Sequence, residues 1–175
     1  MSSLPVDVHL LLVGPEVSGV SDDPEGAAVL AECRRLWEGL DAIAQARVHL
    51  VCLPMDDVDE NAHLVNAIQR HASVVVQKSL VEGFGLTVTE AMWKAKPVVA
   101  SAIGGILDQI VDGEQGLLLQ DPHDLPTFGR LLVRLLQDPA LASRLGKSAH
   151  DRVREAFLGD KQLEAYVELI STLGR

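Results

Sequence analysis

Residues 82–105, EGFGLTVTEAMWKAKPVVASAIGG, decide how this chain is read. They predict a glycine-flanked turn, a short apolar helix, a buried strand and a second glycine turn. Gly83 and Gly85 let the backbone approach a ligand closely, and a helix opening near Leu86 and Thr87 offers unpaired N–H groups, which is the layout of an anion site. Glu82 and Glu90 bracket the turn. By spacing, Glu90 falls within the first turn or so of the helix, where the dipole favours a negative charge by roughly 0.3–1 kcal/mol. Helix stabilisation is therefore open beside a ligand role. Leu86, Val88, Ala91, Met92 and Trp93 surround Glu90 and predict a helix that is apolar on most sides and buried. A carboxylate there needs partners, and vicinal hydroxyls of a ligand would supply them. Glu82 reads equally as a solvated loop residue, and the two glycines as strand-to-helix punctuation. The third glycine of a dinucleotide fingerprint and the Walker lysine pattern are both absent.

Outward from this stretch, apolar runs alternate with helical patterns. Strands are predicted at residues 6–13, 48–53, 73–77, 97–101 and 116–119. The first stops at Gly14-Pro15 and gives way to a polar loop over 18–26. Helical spacing of Val29, Cys33, Leu36, Trp37 and Leu40 follows, with Asp23 as N-cap and Pro24 at the first helical position. A second helix carries Leu64, Val65 and Ile68. The order β-α-β-α-β-α-β indicates right-handed crossovers and an α/β fold, a parallel sheet with helices on both faces. Ligands of such sheets sit beyond the carboxyl ends of the strands, so residues 14–26, 54–60, 78–85 and 101–105 are expected on one rim. Helices alone follow the fifth strand, over 124–137, 139–157 and 159–173. They make a C-terminal cover or tail, with Leu163, Tyr166, Ile170 and Leu173 on one side of the last.

The composition suits one globular domain: 175 residues, 47% hydrophobic and 3% aromatic. Mean hydropathy is +0.18. A core of Leu, Val, Ile and Ala is expected, as in helix-covered parallel sheets. The net charge of −10 argues against a nucleic-acid surface, which needs concentrated Lys and Arg. Cys33 and Cys52 form no metal or redox motif and are expected as reduced thiols in or near the core of a cytoplasmic protein. No signal-peptide pattern and no membrane-length apolar run are present, so a soluble, intracellular protein without a membrane partner is expected. The six histidines lack ligand spacing. His63 and His123 read as surface or satisfied loop residues.

Residues 82–92, EGFGLTVTEAM, resemble the E-x7-E signature of family 4 retaining glycosyltransferases, continued by KPVVAS at 96–101 and Gly104-Gly105. The segment IVDGEQGLL at 110–118 resembles a further motif of that family. Within it, Asp22-Asp23-Pro24-Glu25-Gly26, residues 65–70 and Trp93 are most similar to trehalose-forming glycosyltransferases and trehalose phosphorylases. The resemblance covers essentially the whole chain. It implies a Rossmann-like domain, the second, donor-binding half of the two-domain GT-B architecture, with the first strand and the N-terminal acceptor domain not included.

Carried over, the resemblance implies that Glu90 accepts hydrogen bonds from the ribose hydroxyls of a nucleoside diphosphate-glucose donor. Glu82 would face hydroxyls of the donor sugar, with the N–H groups of Gly83, Phe84 and Gly85 nearby. The amides of Leu86 and Thr87 would meet the diphosphate, and the nucleobase would lie against residues 53–55. The donor is a substrate, so no cofactor or metal is implied. The family's first strand and loop bear an arginine and a lysine that hold the diphosphate. Here the first basic residue is Arg34, inside a helix, and Lys78 is expected on the rim or approaching the phosphates. Two missing charge-assisted contacts, about 1.5–3 kcal/mol each, predict weak donor binding. Three readings follow: the donor-binding part of a hexosyltransferase of trehalose-synthase type working with a separate acceptor domain; a non-catalytic sugar-nucleotide or partner-binding module; and a sugar phosphorylase fragment. An open sheet edge liable to self-association is expected where the first strand would pair.

Overall fold

The computed structural model describes residues 8–16 and 25–173. The expected cap at Asp23 and most of the 18–26 loop lie outside them. Thirteen elements follow in order among these residues: β1 (Leu10–Pro15), α1 (Gly26–Glu38), α2 (Ala42–Gln45), β2 (Val48–Leu53), α3 (Val58–His71), β3 (Val75–Gln77), α4 (Leu86–Trp93), β4 (Val98–Ser101), α5 (Ile106–Gln109), β5 (Leu117–Leu119), α6 (Leu125–Gln137), α7 (Pro139–Ala156) and α8 (Gly159–Leu173).

All strand pairs are parallel, as the alternation of elements predicts. The hydrogen bonding divides them between two sheets, β1-β2 and β3-β4-β5, rather than one continuous sheet. The chain correspondingly forms two compact units, which meet in sequence between Ile68 and Gln69.

In the first unit, β1 and β2 pair from Leu10↔Val48 to Pro15↔Leu53. The Trp37 indole donates to the Val48 carbonyl at 2.8 Å and ties α1 to β2. Asp41 caps the short α2 by accepting from the Ala44 N–H at 2.8 Å. A cleft of about 450 Å³ opens between strands and α1, lined by Leu12, Gly14, Val29, Cys33, Leu50 and Cys52 among others. Cys33 is half-buried, but Cys52 is exposed rather than in the core, because its side of β2 faces this open cleft. Leu10, Leu11, Leu12 and Val13 are 38–47% exposed. The open apolar edge expected from the sequence is thus present at β1, and among the described residues β1 pairs with β2 alone.

The second unit holds the dry core. Strands β3, β4 and β5 are short, and all seven residues of β4 and β5 are buried. That is why their sequences, VVAS and LLL, read as near-continuous apolar runs rather than alternating ones. Side chains alternate between two clusters, one on each face of the sheet. On one face Val98, Ala100 and Leu118 pack with Val88, Ala91 and Met92 of α4, Ile106 and Ile110, and Ala149 and Val153 of α7. On the other, Val99 and Leu117 pack with Leu135 of α6 and Leu141 and Leu145 of α7. Asp124 and Asp138 cap α6 and α7 by accepting from the N–H groups of Thr127 and Leu141, each at 2.9 Å. Helix α8 has its expected apolar stripe, but Leu163, Tyr166, Ile170 and Leu173 are 55–77% exposed, so the stripe covers no core among the described residues.

Candidate functional site

The turn between β3 and α4 is shaped by backbone packing that only glycine allows. Gly85 caps α4 in the left-handed region, φ 89° and ψ 57°, and offers no side-chain cap to the helix. Its carbonyl accepts from the N–H groups of Val88 and Thr89 at 3.0 and 3.3 Å. The N–H groups of Leu86 and Thr87 precede the first helical bond and find no acceptor among the described residues. They are the orphan donors every helix start leaves, here unclaimed by any capping side chain.

Behind this turn runs the second glycine turn. Gly105 donates its N–H to the Gly83 carbonyl at 2.8 Å. Gly104 has φ 50°, and a Cβ there would stand 1.9 Å from the Glu82 carbonyl oxygen; at Gly105 it would stand 2.6 Å from that of Gly83. The two turns therefore lie backbone against backbone, and the glycines quoted at both ends of residues 82–105 serve one contact.

Glu82 is half-buried and held in place. Its Oε1 accepts from the Gly83 N–H at 3.1 Å. Its Oε2 accepts from the Ser79 hydroxyl at 3.1 Å and the Gln77 amide at 3.3 Å. The Gln77 amide also donates to the Ser79 hydroxyl at 2.8 Å, so strand end, loop and carboxylate form one network. Neither Gln77 nor Ser79 stands out in the sequence; the one available signal is a polar residue ending an apolar strand and a second two positions on.

Glu90 departs from its expected setting in two ways. It is the fifth residue of α4, with no acidic residue in the first turn, so the helix-dipole reading does not apply. It is also exposed rather than buried. The helix is less apolar in its surroundings than its composition predicts: Val88, Ala91 and Met92 are fully buried, whereas Leu86 is 68% and Trp93 43% exposed. One face of α4 meets the sheet, and the face bearing Leu86, Glu90 and Trp93 stays open. Gln69 Nε2 donates to Glu90 Oε2 at 3.3 Å, and Lys94 Nζ donates to Gln69 Oε1 at 2.6 Å. Burial holds the Lys94 ammonium below its ordinary pKa, with Glu90 opposing and Arg70 adding to the shift. Phe84 is 43% exposed and meets Phe157 edge to face at 6.0 Å.

The exposed N–H pair, the flanking carboxylates Glu82 and Glu90 and the apolar side chains Phe84 and Leu86 thus share the β3–α4 turn and the start of α4. Lys78 is half-buried just after β3. Residues 53–55 lie in the first unit. Neither His63, whose Nδ1 stands 2.6 Å from the Asp59 carbonyl oxygen, nor His123 belongs to a metal-ligand group, and no such group occurs among the described residues. No helix among the described residues is long and apolar enough to cross a membrane.

Solved structures share this parallel α/β fold. Sucrose-phosphate synthase from Thermosynechococcus elongatus matches with TM-score 0.68 and 32% identity over 94% of this chain and 39% of its own. Anabaena HepE, solved with UDP-glucose, matches with TM-score 0.72 and 21% identity over 97% of this chain and 42% of its own.

The chain belongs to the family Glycosyl transferases group 1, whose model matches residues 57–152. It is 39% identical over 168 residues to the trehalose synthase of Pyrococcus horikoshii, a match that takes in 95% of this chain. It spans 37% of that relative's length.

Proposed function

We propose that the chain is the donor-binding part of a retaining hexosyltransferase of trehalose-synthase type, which moves glucose from a nucleoside diphosphate-glucose to a sugar acceptor. The observation that carries the reading is the unpaired N–H pair of Leu86 and Thr87 at the left-handed Gly85 turn. Diphosphate charge is favoured at such a helix start even in a protein of net charge −10. Glu90, on the open face of α4 one turn further on, takes the ribose hydroxyls. Glu82, whose carboxylate is already oriented by Ser79, Gln77 and the Gly83 N–H, takes hydroxyls of the transferred sugar. The likeness to trehalose synthases over 95% of the chain supports glucose as the sugar, and the UDP-glucose held by Anabaena HepE supports a nucleoside diphosphate carrier. The acceptor and the remaining catalytic groups belong to a separate domain.

Calorimetric titration with UDP-, ADP- and GDP-glucose, run beside inorganic phosphate and glucose 1-phosphate, tests the reading. One nucleotide sugar is expected to bind more tightly than either phosphate compound. Preference for phosphate and glucose 1-phosphate would assign the chain to a sugar phosphorylase instead.

A further inference from the structure

We propose that Gln109, a side chain with no access to any ligand, is the positioning residue of the donor turn: it selects the orientation of the Phe84–Gly85 peptide. The inference rests on the reading of this turn as a donor cradle.

Gln109 is fully buried, a polar residue between the core residues Ile106 and Ile110. Its Nε2 donates to the Phe84 carbonyl, and its Oε1 accepts from the Thr89 hydroxyl at 2.8 Å. The Phe84 carbonyl can only accept, so it takes the donor end of the amide, and the Thr89 hydroxyl, able to donate or accept, donates to the other end. In a planar trans peptide, C=O and N–H point in opposite directions. A Phe84 carbonyl turned toward Gln109 therefore turns the Gly85 N–H away from Gln109. Gly85, at φ 89°, tolerates the flipped peptide as well as the observed one, because glycine is free on both sides of φ 0. The turn's glycine gives it two accessible states, and Gln109 holds one.

Gln109→Glu separates this role from plain packing. The new carboxyl keeps the shape and the acceptor for Thr89. It can donate to the Phe84 carbonyl only when protonated; ionised, it repels that oxygen. Burial raises its pKa. The charged groups around it are Glu82, whose Cγ also borders Gly85, Asp108 beside it in α5, and Arg152 of α7, which donates to the Asp108 carbonyl. Wild-type protein carried through the same pH series accounts for their titration.

Two readouts are followed: the Gly85 amide resonance of the free chain by NMR, and affinity for UDP-glucose, ADP-glucose and GDP-glucose. In Gln109→Glu, the Gly85 amide is expected to match wild type at low pH and to shift as the new carboxyl ionises. Affinity should fall by about tenfold or more over the same pH range, the scale of one buried hydrogen bond lost and replaced by repulsion. Gln109→Leu is expected to be weak at every pH. A Gly85 resonance and an affinity in Gln109→Glu that follow wild type at all pH values would overturn the proposal. If wild type bound no nucleotide sugar, the cradle reading would fail, while the pH response of the Gly85 amide would still decide what Gln109 does.

Discussion

Gly104 stands where two loops touch through their backbones, and the space for a side chain is already occupied by the Glu82 carbonyl. Gly104→Ala is expected to lower stability by about 1–3 kcal/mol, the usual range for forced overpacking, and to weaken nucleotide-sugar binding in the same variant. Urea denaturation and titration check the two effects. Lys94 makes a different kind of prediction. Burial lowers its pKa, so between that lowered value and the ordinary 10.5 the unfolded chain binds more protons than the folded one. Stability from this site therefore rises with pH in that window, and the rise is complete above the ordinary value. Denaturation of wild type and Lys94→Met across alkaline pH is expected to show this rise in wild type alone. The paired glycine turns were legible in the sequence, because only glycine permits the backbone contact they make. The setting of Glu90 was not: the helix starts at Leu86 as expected, but Glu90 is its fifth residue, beyond the first turn, and faces solvent rather than the core. Gln109 was equally hidden, since it stands beside Asp108 in ILDQIV and nothing in that run marks its amide as the one that reaches a loop 25 residues earlier.

At the scale of elements the agreement is uneven: β1 runs to Pro15, whereas the sequence ended that strand before Gly14-Pro15. The strands β4 and β5 are buried on both faces, so their near-continuous apolar runs marked them plainly. The predicted helix 159–173 matches α8, and the caps Asp124 and Asp138 fall at the starts of α6 and α7. The four-residue helices α2 and α5 were missed because one turn has no periodicity to read. At the end of α4, Ala95 takes φ 55°, the left-handed conformation that costs a residue with a Cβ. Ala95→Gly is expected to raise stability by about 0.5–1 kcal/mol in chemical denaturation, the relief of the Cβ outweighing the added freedom of the unfolded chain. Its carbonyl also abuts α7, where a Cβ on Gly146 would stand 2.2 Å away. Gly146→Ala is expected to destabilise by about 1–3 kcal/mol, because both partners are backbone or helix-bound and neither yields cheaply.

At the scale of the whole molecule, the alternation of elements specified parallel pairing but not which strands share a sheet. That choice depends on contacts between elements far apart in the chain, which periodicity does not encode. The apolar β1, with Leu10, Leu11, Leu12 and Val13 all exposed, offers an unpaired edge among the described residues. Sedimentation at rising concentration is expected to show self-association, reduced by Leu11→Lys, since a charge on an edge strand opposes edge-to-edge pairing. The chain spans 37% of the length of its trehalose synthase relative. The most direct measurement is calorimetric titration of the preferred nucleoside diphosphate-glucose into wild-type protein and Glu90→Ala. Saturable binding by wild type, weakened by about tenfold or more in the variant through loss of the carboxylate's hydrogen bonds, is the predicted result. Equal affinity of the two proteins would contradict the assignment of the ribose to Glu90 and with it the proposed cradle.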